Sequence, residues 1–92
     1  MPEPIEITKI KENYNNREYV IEAVSKQGEL LDFADVSFKD DKEIVLKAIE
    51  NNPEALEFAS DRLKDDKDVL IVTESLYEAN KIYKSMHNQN LF

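Results

Sequence analysis

Apolar residues along the chain fall in short clusters spaced for helices rather than strands. Tyr19, Val20, Ala23 and Val24 stand at i, i+1, i+4 and i+5, and Ile44, Val45, Ala48 and Ile49 repeat the spacing. Such spacing paints one face of an amphipathic helix. A break follows each cluster. Gly28 can adopt the left-handed conformation that ends a helix. In the second case Asn52 is a good N-cap, and Pro53 suits the first helical position, where its missing amide costs nothing. A second, shorter helix is predicted after each break. Its buried face is Leu30, Leu31, Phe33 and Ala34, then Ala55, Leu56, Phe58 and Ala59. Phe38 and Leu63 are expected to plug the joint before the next long helix. From Lys67 onward the chain has neither Pro nor Gly, and Val69, Val72, Leu76, Ala79, Tyr83 and Met86 keep helical spacing. That stretch predicts one long helix to about Met86.

The two helix pairs are copies of one unit. Without a gap, residues 17–41 and 42–66 match at ten of twenty-five positions, among them Glu18/Glu43, Ala23/Ala48, Leu31/Leu56, Phe33/Phe58 and Asp40/Asp65. A third copy starts at Lys67 and then diverges, as terminal repeats do when one face has no neighbour. Asn15, Asp40 and Asp65 are expected as N-caps. Glu18, Glu43 and Asp68 then stand three positions later at capping-box spacing, where the helix dipole also favours negative charge. At the other end Pro4, Ile7, Ile10 and Tyr14 overlay Pro53, Leu56, Ala59 and Leu63 as a degraded second helix. The alternation of Ile5 and Ile7 leaves a short extended segment as the competing reading. The fold class expected is all-α: a short α-solenoid-like array of helix pairs, capped by a longer C-terminal helix. It forms a single domain over residues 1–92, with the last helix over 67–86.

The segment 39–49 (KDDKEIVLKAI), then Ala55-Leu56, then Phe58-Ala59-Ser60, resembles a bacterial and protist helical-repeat family, the domain of unknown function numbered four-one-one-six. The resemblance spans about residues 17–71 and is best in the second copy. It implies tandem helix pairs and, by analogy, a role in interaction. It brings no activity, cofactor or catalytic residue with it. Members of the family often hold many tandem copies, whereas barely two and a half are present here, which favours a compact module over an extended scaffold.

Composition narrows the functional classes. Ninety-two residues suit one domain, and a single Gly with three Pro is a helical composition. Cys is absent, which excludes disulfides and thiolate chemistry. No apolar run approaches the roughly 18 residues of a membrane span. The opening residues 1–4 lack the basic start and apolar stretch of a signal peptide. A cytoplasmic protein is the expectation. The net charge of −8 argues against direct nucleic-acid binding, which needs a basic face. The charge is also unevenly placed: residues 18–61 hold twelve acids and four bases, while the remainder holds eight of each.

Candidate chemistry is sparse. His87 is the only His, near the end of the chain, with no carboxylate at helical spacing, and no Ser has a base nearby in sequence. Ser60 reads as a small residue against an adjacent helix. The pairs Asp40-Asp41 and Asp65-Asp66 lack the alternating oxygen spacing of a calcium loop and read as caps. One Gly excludes glycine-rich phosphate loops. No catalytic residue, cofactor or metal is therefore expected.

Two surfaces remain for a partner. Acidic side chains, among them Glu22, Glu29, Asp32 and Asp35, occupy the faces left over by the apolar pattern; Glu50, Glu54, Glu57 and Asp61 form the candidate acidic contact. On the last helix Leu70, Tyr77 and Lys84 form a stripe turned partly from Val69, Val72, Leu76 and Tyr83. The expected function is a non-enzymatic protein-binding module with a basic protein partner, a homodimer being compatible with the same surfaces. The alternative is a small acidic inhibitor, of the kind phages encode, that blocks a nucleic-acid-binding enzyme such as a defence nuclease.

Overall fold

The computed structural model describes the backbone of residues 2–89 and the side chains of residues 2–79 and 81. It is all-α, with no strand among the described residues. Helix α1 (Ile5–Glu12) leads into α2 (Arg17–Lys26), a 3-10 helix η1 (Gly28–Phe33) and the single turn α3 (Val36–Lys39). The same three elements follow again as α4 (Lys42–Asn51), η2 (Pro53–Phe58) and α5 (Asp61–Lys64), and α6 (Lys67–Gln89) closes the chain. Each unit therefore holds three helical pieces rather than a pair.

The long helices start where a side chain can serve their third amide. Asn16 accepts the N–H of Tyr19, Asp41 that of Ile44 and Asp66 that of Val69. The caps thus lie one residue after Asn15, Asp40 and Asp65, and Glu18, Glu43 and Asp68 stand at the second helical position, too early for a capping box. Asp40 and Asp65 instead follow the last residues of α3 and α5. Those two turns have their own caps: Asp35 accepts from Ser37, and the Ser60 hydroxyl accepts from Leu63. Ser60 is accordingly a helix start rather than a small packing residue, and its hydroxyl also donates to Asp40 at 2.6 Å.

The middle pieces wind as 3-10 helices, and in each of them apolar residues recur at i and i+3. Leu30 with Phe33 and Leu31 with Ala34, then Ala55 with Phe58 and Leu56 with Ala59, line up at three residues per turn. Leu30, Leu31, Ala34, Ala55 and Ala59 are buried, while Phe33, Leu56 and Phe58 are half-buried against the core. Val20, Val24, Ile44, Val45, Ala48 and Ile49 from the long helices are fully buried. Leu63 on α5 is also fully buried, whereas Phe38 on α3 is half-buried beside the core.

Two contacts fix how the units stack. The Asp35 N–H donates to the Tyr14 carbonyl at 3.0 Å, and one unit later Ser60 N–H donates to the Lys39 carbonyl at 2.9 Å. Tyr14 therefore stands in the place of Lys39, one residue away from the overlay on Leu63. The second contact is at Gly28. No described glycine has a positive φ, so Gly28 is not a left-handed helix terminator. It is required by proximity: a Cβ there would overlap the backbone carbonyl of Ala48 and press on Asn52. Asn51 then clamps the joint, its Oδ1 accepting the Gly28 N–H at 2.8 Å and its Nδ2 donating to the Lys26 carbonyl at 3.0 Å.

At the first end α1 is helical with Ile10 fully buried, which removes the extended alternative. At the last end α6 runs past Met86 to Gln89. Its 23 residues span about 34 Å at 1.5 Å per residue, more than twice the length of α2 or α4. Val69 and Thr73 are buried and Val72 and Leu76 half-buried, but Tyr77, Glu78, Ala79 and Lys81 are exposed. Ala79 thus lies beyond the part of α6 that packs on the repeats. The side chains of Tyr83, Met86 and His87 lie outside the described residues.

Glycine to alanine at an ordinary negative φ stabilises most proteins by trimming unfolded-state entropy. At Gly28 the added methyl meets backbone, which cannot swing aside. Gly28→Ala is expected to destabilise the fold by about 1–3 kcal/mol. Urea denaturation followed by far-UV circular dichroism checks it, and a gain in stability would rule out the close approach.

Candidate functional site: a cleft between η2 and α6

The second joint repeats the first with changes at its contact positions. Pro53 stands where Gly28 does, Thr73 where Ala48 does and Leu76 where Asn51 does. Pro has no N–H for a clamp and Leu has no group to accept one. The proline ring and the threonine side chain are also bulkier than the Gly–Ala pair they replace. Helix α6 consequently packs less closely on η2 than α4 does on η1. The gap is an open cleft of about 410 Å³ lined by Pro53, Glu54, Leu56, Glu57, Lys64, Thr73 and Tyr77.

Each lining group has a definite local setting. Asn52 caps η2 by accepting the Glu54 N–H at 3.1 Å, with Pro53 at its first position as the sequence predicts. That start places Glu54 and Glu57 one 3-10 turn apart, both exposed. Leu56 and Pro53 are half-buried. Thr73 is buried, and its hydroxyl donates to the Val69 carbonyl at 2.7 Å, which leaves its methyl as the apolar contribution. Tyr77, 48% exposed, and half-buried Lys64 complete the rim.

Glu54, Glu57 and Tyr77 are the candidate contact residues that come together here. Glu50 at the end of α4 and Asp61 at the start of α5 are exposed but do not line the cleft. Leu70 is half-buried on α6 and also lies outside the lining, so it does not share a site with Tyr77. The Lys84 side chain lies outside the described residues. Pro53, Leu56, Lys64 and Thr73 were not foreseen as lining. The available signal was the alignment of the third copy, where Thr73 and Leu76 depart from Ala48 and Asn51.

An ion-pair ladder joins the start of α6 to the start of α4. The Lys42 ammonium lies 3.1 Å from Asp66 and 2.9 Å from Asp68. One unit earlier Arg17 meets Asp41 and Glu43 in the same way. The Val69 amide first, and then the Lys42 ammonium, hold the Asp66 carboxyl below the usual carboxylate range. The Lys42 ammonium is raised in turn, chiefly by Asp68 and then Asp66. The Ser60 hydroxyl and the Arg62 guanidinium likewise depress Asp40.

A family model described as a domain of unknown function (DUF4116) matches residues 16–64 and again residues 41–72. The chain belongs to the DUF4116 family. The two matches begin at Asn16 and Asp41, the N-caps of α2 and α4, twenty-five residues apart. Both matches thus begin at a helix cap, and Thr73 and Tyr77 of the cleft lie just beyond the end of the second. No curated protein and no solved structure matches the chain. Among the described residues no group of three or more His, Cys, Asp or Glu could hold a metal ion, and no helix is long and apolar enough to cross a membrane.

The depressed folded value of Asp66 sets the sign of its pH dependence. Its contribution is present above the unfolded value, about 3.8, and is lost as pH falls through the lower folded value. Asp66→Asn keeps a capping side chain but loses the charge. The variant is expected to melt below wild type at pH 7, with the gap closing as pH drops beneath about 4. Thermal melts of both proteins from pH 7 to pH 3 check this, and a gap independent of pH would contradict the charge pairing.

Proposed function

We propose that the chain is a non-enzymatic protein-binding module whose η2–α6 cleft receives a basic segment of a protein partner. The observation that carries this reading is the convergence of Glu54, Glu57 and Tyr77 on one open cleft, where two carboxylates face a single cation, Lys64, and Pro53, Leu56 and the Thr73 methyl are apolar. A Lys or Arg side chain has an apolar stem and a cationic head, and both find a counterpart here. The stem lies along Pro53 and Leu56, the head meets two carboxylates, and the exposed phenol ring adds a face for the cation. The exposed acids of the repeats, Glu22, Glu29, Asp32, Glu50 and Asp61 among them, steer such a partner from a distance.

That same charge favours a second reading, a small acidic inhibitor that occupies the basic groove of a nucleic-acid enzyme. The two differ in what they require. A mimic spreads its contacts over many exposed carboxylates and is lost steeply with salt, whereas a cleft binder depends on a few residues and retains an apolar part.

An array of Lys- and Arg-containing peptides, followed by titration of the best binder into isotope-labelled protein, tests the reading. Amide shifts are expected around Glu54, Glu57, Thr73 and Tyr77, and Glu54→Gln/Glu57→Gln/Tyr77→Ala should weaken binding roughly tenfold or more. Binding that this variant retains, yet that disappears between low and moderate salt, would favour the inhibitor instead.

A further inference from the structure

A second groove, of about 530 Å³, opens between α1, α2 and the start of η1. Its lining includes Tyr19, Ala23, Lys26 and Gln27, which stand twenty-five positions before Ile44, Ala48, Asn51 and Asn52. In the second unit those counterparts are occupied. Ile44 and Ala48 are fully buried, Asn51 bonds to Gly28 and Lys26, and Asn52 reaches Glu29 at 3.5 Å. In the first unit Tyr19 and Ala23 are only half-buried. Helix α1 stands where a preceding 3-10 helix would, and among the described residues no long helix fills the place beside it. The groove therefore lies where, one unit later, the end of α2 and the start of η1 pack against α4.

The opposite end carries the matching surplus. Leu70 and Ile71 on α6 correspond to Val45 and Leu46 on α4 and to Val20 and Ile21 on α2. Val20 and Val45 are fully buried, and Ile21 and Leu46 half-buried, whereas Leu70 is half-buried and Ile71 is 61% exposed. The ion pairs show the same asymmetry. Arg17 and Lys42, first residues of α2 and α4, each bridge to the acids at the start of the next long helix. Lys67, first residue of α6, forms no ion pair among the described residues, and neither does Glu18, the counterpart of Glu43 and Asp68.

We propose that copies of this chain associate head to tail, α6 of one copy seating in the α1–α2 groove of the next. The contact repeats between molecules the packing of α2 on α4 and of α4 on α6 within one. Ile71 is covered, and Lys67 faces Glu18 of the neighbouring copy. Such an interface is heterologous: each copy keeps one unfilled groove and one uncovered helix, so association continues beyond two. The inference does not rest on the η2–α6 cleft, and its test leaves that cleft untouched.

Sedimentation equilibrium over micromolar to millimolar concentrations reads the outcome. The average mass of the wild type is expected to rise above 10.7 kDa without levelling at two chains. Ile71→Glu spoils only the helix face and Ala23→Arg only the groove. Each alone should associate at least about tenfold more weakly, because a charge would be buried without a partner. An equal mixture of the two should give a one-to-one dimer that grows no further. Glu18→Lys and Lys67→Glu, both at exposed positions, supply a pair that leaves the core intact, and should likewise recover association when mixed. A wild type that stays monomeric throughout overturns the proposal. So does association that survives Ile71→Glu and Ala23→Arg, or variant pairs that fail to complement.

Discussion

The structure depends on one close approach, the backbone of Ala48 against Gly28. Helix α4 can lie against η1 because one residue has no side chain and the other has a methyl. Asn51 then ties the Gly28 amide and the Lys26 carbonyl to α4, so polar groups near the joint are paired rather than merely tolerated. With α2, η1 and α4 drawn together, Val20, Val24, Leu31, Val45 and Ile49 lose all contact with water. A chain of this size has little apolar surface to bury, so the distance between units decides whether it has a core at all.

Charge follows from the same stacking. Every long helix begins beside the start of the next, and each start carries an acidic or amide cap with an acid two positions on. A run of acids at successive helix starts suits each dipole but repels between neighbours. Arg17 and Lys42 resolve the conflict, since each is the first residue of its own helix and reaches two acids of the following one. Exposed pairs of this kind contribute little energy singly. Their value here is positional: they fix which residue of one helix lies opposite which residue of the next.

The long helices, the twenty-five-residue unit and the buried positions of α4 are legible in the sequence because they rest on periodicity, a local property. The caps are displaced by one residue because two adjacent candidates, Asp40-Asp41 and Asp65-Asp66, satisfy the same composition rule, and only the hydrogen-bond geometry separates them. The single turns α3 and α5 are too short to have a period of their own. Gly28 shows the sharper difficulty. A lone glycine after a helix has a ready local explanation, and the real constraint comes from a residue twenty places away. The cleft was half-visible for the same reason: Glu54, Glu57 and Tyr77 stood out by chemistry, but the gap between them follows from Pro53 and Thr73 meeting across two elements.

Repetition makes the exceptions informative. Where Gly, Ala and Asn stand at one joint, Pro, Thr and Leu stand at the next, and all three changes act in one direction. Proline removes the amide that a clamp would hold, threonine fills the close approach, and leucine removes the clamp itself. Together they hold α6 off η2. A joint loosened this way gives up packing, and in so small a core that loss is large relative to the total. The acids and the tyrosine at the rim of the resulting gap give the loosened joint a chemical character that the tight one lacks. The same register leaves the groove beside α2 and the exposed face of α6 as complementary halves of a packing the chain already makes twice. Cleft, groove and exposed helix face therefore share one origin, the difference between the joint of α4 with η1 and the packing around α6 and α1.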